Sequence, residues 1–192
     1  MDLYDRHLAR QAAQGNRTAF GKLYDRHAPH VYHLLRRLTR ETSLAEDLTQ
    51  DTFVTAWQSF SSWQGRGKVS TYLCGIAVNK YRAHRRKEPE SFVELLDETA
   101  ASLPTQTDPL FHLTRKEAEA ALERAIADLP DGCRDAFVLV RVEGWAYRDA
   151  AESLGVPLGT LQSRLARATQ LLQRALTDSA ERSEPCCAVT KP

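Results

Sequence analysis

Apolar residues recur along this chain at steps of three and four, and no segment of any length alternates at steps of two. That period belongs to helices with one buried face, so the pattern predicts an all-α protein. A first short helix is expected over about residues 3–13, stopped by Gly15. A second spans about 18–39, with Phe20, Leu23, Tyr24, Val31, Leu34, Leu35 and Leu38 as its apolar positions. Pro29 falls inside it and should kink it or leave one carbonyl unbonded. A third opens at Ser43, where Ser43 and Glu46 have capping-box spacing, and continues to about Ser59. The glycines of Ser61–Lys68 break the pattern, and a fourth helix follows from about Ser70 to Arg86.

Periodicity then disappears over residues 88–113, where Pro89, Pro104 and Pro109 mix with acids, Ser and Thr. This is the composition of a linker. Helix resumes near Thr114, where TRKE has capping-box spacing, and reaches Asp128 before Pro130. Another helix is expected over about 132–142. The next 32 residues, Trp145–Leu176, describe a helix-turn-helix. Ala146, Ala150 and Ala151 make a small-residue face, Gly155 stops the first helix, and Pro157 suits the first turn of the second. Leu161, Leu165, Ala168, Leu172 and Leu176 form the buried stripe of that second helix, opposite Thr160, Gln162, Ser163, Arg164 and Arg167. Arg and Gln read base edges in a major groove, while Ser, Thr and Arg also hold phosphates. The same pattern serves a helical hairpin with a solvated basic face.

The organisation that results is two small helical domains joined by a flexible linker: 1–88, a linker at 89–113, 114–177 with the helix-turn-helix, and a frayed tail at 178–192. The net charge of +1 conceals an asymmetry along that order. Residues 1–88 hold 15 Lys and Arg against 8 Asp and Glu, whereas 89–113 hold 5 acids and no Lys or Arg. A basic N-terminal half with its charge gathered at Tyr81–Lys87 points to a polyanionic partner, nucleic acid first. No apolar run is long enough to cross a bilayer and the charged N-terminus lacks the core of a secretory signal, so a cytoplasmic location is expected.

Two stretches carry distinct chemistry. On the third helix, Asp47, Gln50, Asp51, Val54 and Gln58 fall on or near one face, with Leu48, Phe53, Trp57 and Phe60 towards the other. An acidic, amide-bearing face suits a basic helical partner and is equally the pattern of a solvated face. After it, Trp63, Lys68, Tyr72, Asn79, Lys80, Arg82, Arg85 and Arg86 interleave aromatic rings with cations, as single-stranded DNA binding requires. Core packing is favoured for Tyr72 and phosphate contact for the arginines; Trp63 fits packing and base stacking equally.

At this point four blocks, AFGKLYDRHAPHVYHLLRRL (19–38), AEDLTQDTFVTAWQSFSSWQG (45–65), STYLCGIAVNKYRAHRRK (70–87) and the stretch 129–176, resemble in order and spacing a bacterial RNA polymerase sigma factor of the sigma-70 family, extracytoplasmic-function type. The resemblance implies no catalytic site, and neither a nucleophile–base pair nor a phosphate-cradling glycine loop is visible in the sequence. It implies that Asp47, Gln50, Asp51, Val54 and Gln58 dock on the β′ clamp helices of core RNA polymerase, with the β flap as a further contact. It implies that Asn79 and the loop 61–68 hold a flipped base of the minus-ten element, supported by Trp63, Lys68, Lys80, Arg82, Arg85 and Arg86. It implies that Thr160, Gln162, Ser163, Arg164 and Arg167 meet the minus-thirty-five duplex, and that an anti-sigma factor is a further partner.

Four cysteines complete the inventory: Cys74, Cys133, Cys186 and Cys187. Cys74 and Cys133 read as buried small hydrophobes. No CxxC spacing supports zinc, so no cofactor is expected beyond a soft metal or redox response at the tail pair Cys186–Cys187. His27, His30 and His33 share a helix side, where a solvated or phosphate-facing stripe is favoured over a metal site. Two alternatives accompany the leading reading: a metal- or redox-responsive sigma factor sensing through the tail, and a plain operator-binding regulator. The second leaves the third-helix face and the Trp63–Arg86 segment without a purpose.

Overall fold

The computed structural model describes residues 3–63, 68–87 and 115–182, and among them every regular element is a helix or helical turn. Two compact units form; one carries α1 (Leu3–Ala13), α2 (Arg17–Thr39), α3 (Thr42–Ser59) and α4 (Val69–Arg85). The other carries α5 (Arg115–Asp128), α6 (Asp131–Phe137) and α8 (Leu158–Arg182), with α7 (Tyr147–Leu154) between α6 and α8 in sequence. The segment 88–114, including the linker at 89–113 and the second capping box, and the tail from 183 lie outside the described residues.

In the first unit α2 is the central element, packed against α1, α3 and α4. The core is closed by Leu23, Val31, Leu34, Leu35 and Leu38 of α2, Leu48 and Phe53 of α3, and Leu73, Ala77 and Val78 of α4, all buried. Gly15 ends α1 with φ +85°, and its two flanking backbone bonds (Gly15 N–H to Ala12 O, Asn16 N–H to Gln11 O) make a Schellman closure. Asn16 then caps α2 by accepting from the Ala19 N–H at 3.0 Å. Helix α2 runs unbroken through Pro29. Both Pro29 and Asp25, whose carbonyl loses a helical donor there, are exposed, where water can serve it.

The start of α3 differs from the capping box expected at Ser43. The helix begins at Thr42 with Glu41 at its cap, and Ser43 Oγ donates to Glu41 Oε1 at 2.7 Å. The hydroxyl spent on that carboxylate is inside the first turn, so it closes no cap.

In the second unit α8 packs against α5 and α6. Leu161, Leu165, Ala168 and Leu172 are buried as the periodicity predicts, and Leu176 is half-buried near the end of the stripe. After α6 the chain widens into a π-helical turn over Val138–Val142, with Glu143 N–H bonded to Val138 O. The helix predicted through Val142 is therefore regular only to Phe137. Gly144, at φ +69°, releases the turn. Helix α7 starts at Tyr147, so Ala146 is exposed ahead of it while Ala150 and Ala151 are buried. Gly155 (φ +63°) closes α7 by a second Schellman pair, Gly155 N–H to Glu152 O and Val156 N–H to Ala151 O.

Candidate nucleic-acid and partner interfaces

Three surfaces follow from these helices. On α3, Asp47, Gln50, Asp51, Val54 and Gln58 are all exposed, while Leu48, Thr49, Thr52, Phe53 and Ala56 are buried. Thr49 and Thr52 turn their hydroxyls back on the Ala45 and Leu48 carbonyls at 2.6 Å each, which lets two polar side chains enter the core satisfied. Val54 is 56% exposed in the middle of the outward stripe. This valine side chain, flanked by two carboxylates and two amides, has nothing to cover it within this unit. Phe20 anchors the other side of α3, with ring centroids 5.0 Å from Trp57 and 6.4 Å from Phe53, and Tyr24 meets Phe53 at 4.7 Å.

The second surface lies on α4 and the turn before it. Trp63 is half-buried, its ring 5.8 Å from Phe60 and 6.4 Å from Tyr72. Tyr72 packs on Phe60 at 5.6 Å and shares a 2.6 Å hydrogen bond between its hydroxyl and Ser59 Oγ. Tyr72 thus joins the half-buried aromatic packing, and Trp63 forms its outer end. The neighbouring glycine loop, 64–67, lies outside the described residues. Helix α4 contains no Asp or Glu. Lys68, Asn79 and Arg86 are exposed, and Lys80, Arg82 and Arg85 are half-buried. Lys68 precedes Asn79 by eleven residues and Arg86 follows it by seven, so the three share one face at helical spacing. Arg85 leans on the Tyr81 ring (5.9 Å to the centroid) and donates to its hydroxyl at 3.1 Å. That contact fixes the guanidinium's height on the helix.

The third surface is the outer side of α8. Gln162, Ser163 and Arg167 are exposed there, and Thr160 and Arg164 are half-buried. Ser163 donates to the Thr160 carbonyl at 3.0 Å, which leaves its oxygen lone pairs facing outward as acceptors.

Two family models match this chain. The sigma-70 region 2 model matches residues 23–89, and the sigma-70 region 4 model matches 119–176. A 31% identical relative, the ECF RNA polymerase sigma factor SigM of Mycobacterium tuberculosis (strain H37Rv), aligns over 90% of this chain and 84% of its own length. The chain belongs to the sigma-70 family, in its ECF branch. Another relative is the RNA polymerase sigma-H factor of Pseudomonas aeruginosa, 29% identical over 90% of this chain and 93% of its own. Two solved structures are similar. CnrH, in complex with the cytosolic domain of CnrY, has a TM-score of 0.59 and 28% identity, covering 92% of this chain and 98% of that one. RpoE of Bartonella quintana, bound to the anti-sigma factor NepR, has a TM-score of 0.58 and 27% identity, covering 82% and 96%. The relatives are regulators of transcription initiation and not enzymes. Among the described residues no helix is long and apolar enough to cross a membrane.

Within this ECF sigma factor several residues differ in setting from their sequence reading. His27 does not belong to an outward stripe with His30 and His33. It is buried, with Nε2 3.1 Å from Asp5 Oδ2, while His30 and His33 are exposed. Cys74 and Cys133 are buried and in no disulfide, as expected. Burial pushes the Cys133 thiol up, and the Arg167 and Arg164 cations work against that rise. Cys186 and Cys187 lie outside the described residues. Sequence reading missed Arg134, 1% exposed, whose Nη2 donates to the Leu129 carbonyl (2.7 Å) and to Asp131 Oδ1 (2.6 Å). Nothing in the period marks it, because a buried arginine sits on the apolar face as a violation of the pattern.

Proposed function

We propose that this ECF sigma factor binds core RNA polymerase through α3, opens the minus-ten region with α4 and the turn before it, and recognises the minus-thirty-five duplex with α8. The observation that carries the reading is the exposed stripe of Asp47, Gln50, Asp51, Val54 and Gln58. A regulator that only occupies an operator has no use for a second, acidic docking surface on a different unit from its helix-turn-helix. The charge suits basic, helical partner elements such as the β′ clamp helices, with the β flap as a further contact.

On α4, Lys68, Lys80, Arg82, Arg85 and Arg86 supply phosphate contacts, while Trp63 and Asn79 receive an extruded base by stacking and hydrogen bonding. Stacking of about 1–3 kcal/mol per base is comparable with the few kcal/mol needed to flip one, so capture alone can hold a duplex open. On α8, Gln162 and Ser163 face base edges, and Thr160, Arg164 and Arg167 complete the contact with the duplex. The anti-sigma complex formed by the similar RpoE supports an anti-sigma partner for this chain as well.

Run-off transcription with purified sigma-free core polymerase tests the reading. Initiation from a defined start site, only when this chain is added, is the expected result. A chain that binds promoter duplex but never gives a defined transcript is an operator-binding regulator, and the proposal fails.

A further inference from the structure

The turn that carries Trp63 is tied to α4 by two hydroxyls. Ser59 ends α3, and Phe60–Ser62 follow as a single tight helical turn. Trp63 closes that turn, its N–H bonded to the Phe60 carbonyl at 3.0 Å, and its own backbone is extended (φ −68°, ψ 115°). That bond sets where the chain leaves α3 but does not fix the indole ring. The ring is placed by its neighbours, Phe60 at 5.8 Å and Tyr72 at 6.4 Å. Phe60 is 1% exposed and makes edge-to-face contacts with Phe20 of α2 (5.8 Å) and with Tyr72 (5.6 Å), so it is a fixed wall. Tyr72 is the other wall, half-buried near the start of α4.

Its hydroxyl decides where that second wall stands. Tyr72 Oη is 2.6 Å from Ser59 Oγ, and Ser59 Oγ is 2.7 Å from the Thr55 carbonyl oxygen. A carbonyl only accepts, so the Ser59 proton goes to Thr55 and the Tyr72 proton to Ser59. Both bonds then point the same way along a short chain, each polarising the next. Packing alone does not call for the hydroxyl, because phenylalanine would keep both ring contacts. The oxygen adds a tie between the last turn of α3 and the start of α4, at the point where the connecting chain sets out with Trp63.

We propose that the Tyr72–Ser59 hydroxyl pair is a positioning device for base capture, holding the Tyr72 ring against Trp63 so that the indole is set before a base leaves the duplex. Tyr72 then touches no nucleotide and acts through Trp63. A ring already in place costs little ordering when the base arrives. The inference rests on the proposed reading of Trp63 as the ring on which an extruded base stacks.

Permanganate footprinting tests it, using the full chain, purified core polymerase and a promoter from which the wild-type chain initiates, with core assembly and thermal unfolding measured alongside. Tyr72→Phe removes one oxygen and should lower open complex about fivefold, the size of one neutral hydrogen bond, with core assembly unchanged. Ser59→Ala should give the same loss, and the double variant no more than either one. Trp63→Ala should cost about tenfold, and adding Tyr72→Phe to it should cost nothing further, because Tyr72 works only through that ring. A merely structural tyrosine would instead show its full loss on the Trp63→Ala background, in step with a lowered melting temperature, and that result overturns the proposal. It is overturned as well if Tyr72→Phe opens the promoter at the wild-type level while Trp63→Ala does not. Full opening by Trp63→Ala, or a wild-type chain that initiates at no promoter, means that no base stacks on Trp63; the reading of that ring then fails and this inference with it.

Discussion

His27 of α2 and Asp5 of α1 form a buried pair, Nε2 to Oδ2 at 3.1 Å, that ties the first helix of the chain to the central one. Arg26 Nε stands 3.0 Å from the other carboxylate oxygen, yet Oδ1 accepts no well-aligned hydrogen bond. Arg26 therefore contributes charge, and His27 contributes the directed bond. Burial lowers the His27 pKa from its ordinary 6.5, with Asp5 pulling the other way and Arg26 adding to the fall.

The sign of the resulting pH dependence follows. A histidine whose folded pKa is depressed binds protons more readily unfolded than folded, so stability rises with pH in that range. The contribution is complete above the ordinary value and is lost as pH falls below about 6.5 towards the lower folded value. Melting temperatures measured between about pH 5 and pH 7.5 should climb with pH in the wild type, and more shallowly in His27→Gln. Equal slopes in the two proteins remove His27 as the source.

Arg134 is buried as well, and its role is architectural. It bonds the Leu129 carbonyl, just past the end of α5, to the start of α6 at Asp131. Arg134→Ala leaves the Leu129 carbonyl without that donor and a cavity where the stem lay. We expect a loss of about 2–4 kcal/mol in urea unfolding of the second unit. Arg134→Lys should fall between, since one ammonium cannot reproduce the fork. A change below about 0.5 kcal/mol in the alanine variant, the range of ordinary surface substitutions, contradicts the assignment.

Helix positions were legible because each depends on local period and punctuation. Gly15, Gly155 and the leucines of α8 work within a few residues of themselves. The pairs that lock the units were not, because they join residues by space: Asp5 and His27 stand 22 apart in sequence and Arg164 meets Gly132 across two helices. At Ser43 the motif was present but a competing acceptor, the Glu41 carboxylate, took its hydroxyl. The π-helical turn at Val138–Val142 was invisible for a related reason, since an inserted residue changes the hydrogen-bond register without changing composition. The outward stripe of α3 was legible because exposure and burial alternate there at the helical period.

That stripe gives the most direct functional prediction. Asp51 is exposed on α3, away from Phe53 and the core, so its replacement perturbs little inside. If α3 docks on a basic partner as proposed, Asp51→Arg inverts the charge offered to it, and like-charge juxtaposition costs several kcal/mol. Affinity for core polymerase should fall by at least about tenfold while circular dichroism stays at the wild-type level. Unaltered co-purification with core enzyme means that α3 is not the docking surface.

Asn79 separates binding from opening. It is exposed on α4, next to Lys80 and one turn before Arg82, while Leu73, Ala77 and Val78 are buried. Its amide carries both donors and an acceptor, which is what reading the edge of an extruded base requires. Asn79→Ala removes that edge and leaves every cation of α4 in place, so electrostatic attraction to the promoter persists. Permanganate footprinting of the melted region should show about a tenfold loss of open complex, while assembly with core polymerase is unchanged, because the lost hydrogen bonds count only once a base is out of the stack. Equal losses in assembly and opening would instead make Asn79 a structural residue of α4.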